Sequence, residues 1–145
     1  MTDARPTRHE VHYDGRVVRC FADRPPTVDA MFRRTVAAHG DTVALVDGDA
    51  RMTYRQLDAA VDRVAGNLAA AGFAAGDRLA LLLGNEPEFV ISVLAAARIG
   101  VIAVPMNPRQ RRPEIEFTLN QCGAAGLIYG ADCADQLPDP GDVPA

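Results

Sequence analysis

The sequence predicts an α/β fold, with a parallel sheet covered by helices on both faces. Three observations carry this. Residues 79–83 form a continuous apolar run bounded by Gly76-Asp77 and Gly84-Asn85. Residues 101–104 and 127–129 repeat the pattern as short apolar, β-branched stretches. Between these runs lie segments of helical spacing. Fully apolar strands alternating with helices bury both faces of the sheet, which is the signature of parallel βαβ units with right-handed crossovers.

Along the chain, residues 1–26 read as a tail and lead-in; Met1 to Val11 is polar, with Asp3, Arg5, Arg8 and Glu10, and has no apolar core of signal-peptide type. His9-Glu10-Val11-His12 has the look of a zinc-protease helix, but its histidines are spaced i, i+3 rather than i, i+4, in a stretch without helical periodicity. A solvated tail is the expectation there. A helix over 28–38 follows, capped by Thr27, burying Val28, Met31, Phe32 and Val36 and stopping at Gly40, with His39 placed to meet the helix dipole. Residues 43–46 read as a strand ending in a turn at Asp47-Gly48-Asp49.

The strongest helix covers 54–71. Leu57, Ala60, Val61, Val64, Ala65, Leu68 and Ala71 make one apolar stripe, Thr53 and Gln56 form a capping box, and Gly72 supplies the stop. The glycine-spaced run 69–76 follows a helix rather than a strand, the wrong context for a dinucleotide turn. After the strand at 79–83, a helix begins with Asn85 as N-cap, Pro87 in the first turn and Glu88 three residues after the cap, burying Phe89, Val90, Val93, Leu94 and Ala97. The apolar stretch 89–106 is not a membrane span: Arg98 interrupts it, Gly100 stops the helix, and a β-branched strand follows. A helix over 113–121 and the strand at 127–129 complete the pattern. Residues 131–145, with Pro138, Pro140, Gly141 and Pro144, lose all periodicity and read as a linker, a frayed end or a cut. The expected division is a lead-in at 1–26, an α/β unit at 27–130 and a terminal segment at 131–145.

Composition narrows the chemistry. All 15 basic residues of the 145 are arginine, so the chain carries no Schiff-base, PLP-binding or Walker A lysine. A net charge of -4 argues against nucleic acid as a partner. Cys20, Cys122 and Cys133 are scattered without a C-x-x-C pair, which favours reduced thiols and a cytoplasmic location over a disulfide framework or zinc site. In an open α/β sheet, ligands bind beyond the carboxyl ends of the strands. Those ends are Gly84-Asn85, Pro105-Met106-Asn107-Pro108 and Gly130. Gly84-Asn85 reads first as a turn with a cap and only second as an anion site. The arginines 109, 111 and 112 read as a solvated loop before a phosphate-contacting surface. Spacing assembles no acid/base pair, no Ser-His pair and no metal set; no catalytic or metal-ligating residue is assigned, and cofactor-binding residues are left open.

One ordered set of motifs goes further. Thr53-Tyr54-Arg55-Gln56-Leu57, Leu68 to Gly72, Gly76-Asp77-Arg78-Leu79-Ala80-Leu81-Leu82-Leu83, Asn85-Glu86-Pro87-Glu88-Phe89, Ala95-Ala96-Ala97-Arg98-Ile99-Gly100 and Val104-Pro105-Met106-Asn107-Pro108, preceded by Ala44-Leu45-Val46-Asp47-Gly48, resemble the N-terminal part of the AMP-binding, adenylate-forming superfamily. Asn107, where peptide-synthetase adenylation domains usually carry aspartate, leans toward acyl-CoA synthetases. The stretch Arg111-Arg112-Pro113-Glu114-Ile115 departs from the family's small polar cap and leaves that helix start uncapped.

The resemblance implies an incomplete version of the full fold: the N-terminal subdomain of an ATP-dependent ligase, present as a truncated chain. It further implies a carboxylate substrate, with ATP, magnesium and CoA serving the full-length family and none of them assigned to residues of this chain. The family's phosphate loop and lysines have no counterpart in these residues, so the chain alone is expected to be inactive. Apolar surface left open would allow self-association. The rival expectation is a non-catalytic binding module that uses an exposed sheet edge.

Overall fold

The computed structural model describes residues 5–144; Asp3 and the rest of residues 1–4 of the expected tail, and residue 145, lie outside them. Seven strands and four longer helices follow in order: β1 (Thr7–His12), β2 (Arg16–Phe21), α1 (Val28–His39), β3 (Val43–Asp47), β4 (Ala50–Thr53), α2 (Tyr54–Ala70), β5 (Arg78–Leu82), α3 (Pro87–Arg98), β6 (Ile102–Pro105), α4 (Arg112–Cys122) and β7 (Gly126–Tyr129). Two short 3-10 turns, Ala131–Gln136 and Pro140–Asp142, close the described chain.

β5 is the centre of a three-stranded parallel sheet, with β6 on one side and β7 on the other. Alternation along β5 sends its side chains into two cores. Leu79 and Leu81 enter a core with Phe32 of α1, Leu57, Val61, Ala65 and Leu68 of α2, and Ile91, Ala95 and Ala96 of α3. Ala80 and Leu82 enter the other, with Ile115 and Leu119 of α4, Met106, Ala124 and Cys133. Helices therefore cover both faces, as the apolar strands require. Each large side chain buried in these cores, such as Leu79, Leu81, Leu82, Val61 and Ile115, contributes about 1.5–3 kcal/mol relative to exposure.

The α2 start forms as expected. Thr53 Oγ1 accepts from the Gln56 N–H at 3.3 Å, and Gln56 Oε1 accepts from the Thr53 N–H at 2.8 Å. Thr27 Oγ1 accepts from the Ala30 N–H at the start of α1, and His39 lies in the last turn of that helix.

Several expectations are corrected. The lead-in is not a bare tail: β1 and β2 pair antiparallel around Tyr13, Asp14 and Gly15, all at positive φ. Its side chains face water on most positions, so apolar alternation never marked it. β4 pairs with β3 and was missed because four residues run straight into the α2 cap. In α1 only Phe32 is fully buried, with Val36 packed against the same core, while Val28 and Met31 are exposed.

The α3 cap is Glu86 rather than Asn85, and it makes no side-chain capping bond. The residues of α3 packed deepest are Ile91, Ser92, Ala95 and Ala96; Phe89, Val90, Val93 and Leu94 pack around the rim of the same core. The small side chains take the closest approach and the bulky ones flank it. The α4 start is not uncapped, since the Glu114 carboxylate reaches back to accept from the Arg111 N–H at 2.7 Å. Residues 131–144 are not loose either: Cys133 is buried, and Leu137 and Val143 pack on the second core. No described helix is long and apolar enough to cross a membrane.

Candidate active site

The carboxyl ends of the three parallel strands lie side by side. The Met106 N–H donates to the Leu81 carbonyl at 2.9 Å, and the Gly130 N–H donates to the Leu82 carbonyl at 3.0 Å. This places Gly84-Asn85, Pro105 to Pro108 and Gly130 on one rim, as the sequence predicted. Above it, residues of the β3–β4 hairpin (Leu45, Val46, Asp47) and the start of α3 (Asn85, Glu86, Pro87, Phe89) line a cleft of about 220 Å³.

The electrostatics of this rim are acidic. A Cβ placed on Gly130 would lie 2.6 Å from Asp132 Oδ1 and 3.7 Å from Glu86 Oε1, so two carboxylates flank that glycine. Pro87 removes the first N–H of α3, and the Phe89 N–H is already taken by the Glu86 carbonyl. The helix end that could have held an anion instead carries Glu86 and Glu88. A phosphate would meet like charge here, so the anion reading of Gly84-Asn85 is not carried by the geometry.

Cys133 sits beneath the rim, its Sγ 3.8 Å from the Pro108 carbonyl. Burial pushes its thiol above the ordinary range, and the charges of Asp132 and Glu86 add to the shift. It stays protonated at neutral pH and is not an activated nucleophile. Arg109, Arg111 and Arg112 are exposed on the loop and at the start of α4, with Arg112 3.2 Å from Asp139. The rim thus gathers backbone ends, carboxylates and a protonated thiol, and among the described residues lining the cleft there is no basic side chain. These residues do not by themselves fit ATP.

A separate grouping lies on the β1–β2 hairpin. His9 and His12 fall on opposite faces of β1, as an i, i+3 pair in a strand must. Glu10 and His12 share a face, and Cys20 of β2 joins them, so that one donor atom from each lies within 4.8 Å of the others. Glu10 is held ionised: hydrogen bonds from Arg24, Arg8 and His12 lower its carboxyl to about 2. The sequence pairs His9 with His12 by proximity, whereas Cys20, eight residues beyond His12, is the residue the hairpin brings to Glu10 and His12. The available signal was Asp14-Gly15, a hairpin turn that folds Cys20 back onto Glu10.

Comparison with known proteins now decides the family. A model of the AMP-binding enzyme family matches residues 32–143. The chain belongs to the AMP-binding enzyme family. It is 42% identical over 102 residues to the long-chain-fatty-acid–CoA ligase FadD13 of Mycobacterium tuberculosis, a match covering 70% of this chain and 20% of that protein. The inhibitor-bound N-terminal domain of FACL13 from M. tuberculosis superposes with a TM-score of 0.75 at 38% identity, over 81% of this chain and 32% of that one. The Klebsiella oxytoca NpsA N-terminal subdomain in complex with anthranilyl-AMSN gives a TM-score of 0.73 at 29% identity, over 78% and 29% of the two chains. The chain spans about a fifth of the length of its FadD13 relative, and its fold is that of the N-terminal subdomains of adenylate-forming enzymes.

Proposed function

We propose that residues 27–130 form the N-terminal scaffold of an acyl-CoA ligase-type enzyme that activates a carboxylate with ATP and passes the acyl group to CoA. The observation that carries this is the order of family motifs from Ala44 to Pro108, set on the β5–β6–β7 sheet beside a 42% identical fatty-acid ligase. Asn107, after β6, supports the ligase branch over peptide-synthetase adenylation. On this reading the carboxylate, ATP, magnesium and CoA belong to the complete enzyme, and the lysine-free 145 residues do not form acyl-adenylates alone. A cytoplasmic location is part of the same proposal, consistent with three free cysteines.

Exposed Ile102 on β6 and Tyr129 on β7 support the scaffold reading over a self-contained binding module, which would charge or cover such edges. They also give the isolated chain a surface for self-association.

Two measurements test the proposal. The purified chain is expected to show no carboxylate-dependent ATP–pyrophosphate exchange, and exchange above a protein-free blank would overturn its inactivity. A FadD13 chimaera carrying residues 27–130 of this chain in place of its own segment is expected to retain thioester formation from a fatty acid, ATP and CoA. A chimaera that folds to the parent's thermal midpoint yet makes no thioester would overturn the scaffold assignment.

A further inference from the structure

We propose that Glu10, His12 and Cys20 form a binding site for one zinc-class divalent ion on the β1–β2 hairpin, with Arg24 occupying the site when no ion is bound. Glu10 and His12 alternate onto one face of β1, and the register Arg8↔Cys20, Glu10↔Val18 sets Cys20 on the neighbouring strand, diagonal to Glu10. The donors are one carboxylate oxygen, one imidazole nitrogen and one sulfur, the mixed set that suits Zn²⁺ and Co²⁺.

The spacing fits such an ion. Glu10 Oε2 lies 2.8 Å from His12 Nε2, and His12 Nε2 lies 4.0 Å from Cys20 Sγ. A tetrahedral zinc with ordinary bond lengths needs roughly 3.3 Å for an O···N edge and roughly 3.5 Å for an N···S edge. Rotamer adjustments of about half an ångström close these two edges, and the Glu10–Cys20 edge, within 4.8 Å, closes by up to about 1.3 Å as the two side chains rotate inward. The donors are shielded without being sealed, since the Glu10 and His12 side chains keep 17% and 34% of their exposure. Three protein ligands leave the fourth position to water.

The surrounding charges define what must move. Arg8 Nε donates to Glu10 Oε1 at 2.6 Å, on the oxygen turned away from His12. It can stay there and orient the carboxylate from outside the ligand set. Arg24 Nη2 bonds Glu10 Oε2 and stands 3.1 Å from His12 Nε2, in the place the ion would take. Arg24 is exposed at the chain surface, so swinging it into water disturbs no core contact. Ion binding then releases the Cys20 thiol proton to solvent and leaves Glu10, the Cys20 thiolate and the divalent ion neutral in sum.

The test uses the untagged full chain under a non-thiol reductant, titrated with Co²⁺. The expected result is a thiolate-to-cobalt charge-transfer band saturating at one ion per chain. Cys20→Ser abolishes the band, His12→Ala and Glu10→Gln weaken binding by about tenfold or more, and Cys122→Ser leaves it intact. Arg24→Ala is expected to tighten binding, because it removes the competing cation. In parallel, Zn²⁺ is expected to slow alkylation of Cys20 relative to Cys122, read by peptide mass spectrometry. Glu10, His12, Cys20 and Arg24 lie outside both cores, and half-buried Cys122 packs only against the edge of the second, so unchanged far-ultraviolet dichroism is expected. No band, a band that survives Cys20→Ser, or affinity indifferent to His12 and Glu10 would overturn the site. Unchanged or weaker affinity in Arg24→Ala would overturn the role given to Arg24.

Discussion

Arg98 is the residue whose environment departs most from what its neighbours in sequence suggest. It ends α3, an otherwise apolar helix, with a side chain only 6% exposed. Its guanidinium donates to Asp29 at 2.9 Å, Asp58 at 2.6 Å and Asp62 at 2.6 Å, and lies over the Phe32 ring. One planar fork thereby ties α1, α2 and α3 together, a task its fixed geometry suits better than a lysine's point charge. Arg98→Met keeps most of the volume but leaves half-buried Asp58 without its charged partner and half-buried Asp29 with only the exposed Arg33. The expected loss is about 3 kcal/mol in urea unfolding, with much of it recovered when Asp29→Asn and Asp58→Asn are added. A loss below about 0.5 kcal/mol would show that solvent already screens these carboxylates. The sequence made Arg98 legible as a break in an apolar run, which excluded a membrane span. It could not reveal the partners, since Asp29 is 69 residues away and Asp58 is 40, and only the packed helices bring them together.

Among the elements, those governed by local chemistry could be read from sequence and those governed by packing could not. The α2 stripe and its Thr53–Gln56 capping box are fixed within one turn, and both formed as expected. Thr53→Ala should cost about 1 kcal/mol by freeing the Gln56 N–H, seen as a lower urea midpoint with an unchanged m value; no change would mean that Gln56 alone caps the helix. The end of α4 is equally local. Gly123 is left-handed at φ 57°, and the Ala124 N–H closes onto the Leu119 carbonyl. Arg78 also donates to the Gly123 carbonyl from beneath. Gly123→Ala places a Cβ 2.8 Å from the Arg78 guanidinium in a disfavoured backbone state. It should lower stability by about 1–2 kcal/mol, whereas the same change at open, mid-helix Gly66 should raise it by about 0.5–1 kcal/mol. For α3, by contrast, residues 89–97 are apolar except for Ser92, so periodicity had no polar face to choose against. Only contact with α2 and the sheet selected Ile91, Ser92, Ala95 and Ala96. The β1–β2 hairpin escaped for the opposite reason: it buries so little that its sequence carries no alternation. The rim of the sheet was legible as strand ends, but the acidity set by Glu86 and Asp132 around Gly130 required the fold.

At the scale of the whole molecule, the arginine-only cation set couples stability to the ionisation of its carboxylates. Three are held below their ordinary range. Hydrogen bonds from Arg24, Arg8 and His12 hold Glu10 down, and a hydrogen bond from Arg34 lowers Asp23. Burial pushes Asp29 up, but hydrogen bonds from Arg98 and Arg33 outweigh it and leave its carboxyl lowered. A carboxyl whose folded value lies below its unfolded one contributes stability above the unfolded value, and that contribution disappears as pH falls through the folded value. With unfolded values of 3.8 for Asp and 4.5 for Glu, the acid limb begins just below pH 5 and continues to about pH 2. Cys133 acts in the opposite direction. Its raised folded value keeps the thiol protonated while the unfolded chain ionises, so stability is full below the unfolded value of 9.0 and declines above it. The expected profile is a plateau between about pH 5 and pH 8 with a loss on each side. Glu10 pairs with the exposed Arg8 and Arg24, and Asp23 and Arg34 are both exposed, so screening keeps their share small; Arg98 is only 6% exposed, so most of the acid limb should belong to Asp29 and its contact with Arg98. Urea midpoints from pH 7 down to pH 2.5 should therefore fall less steeply in Asp29→Asn than in the parent, while Cys133→Ala should flatten only the alkaline side. Parallel acid limbs in the parent and Asp29→Asn would assign the acid sensitivity to the surface pairs instead of the arginine-centred junction of the three helices.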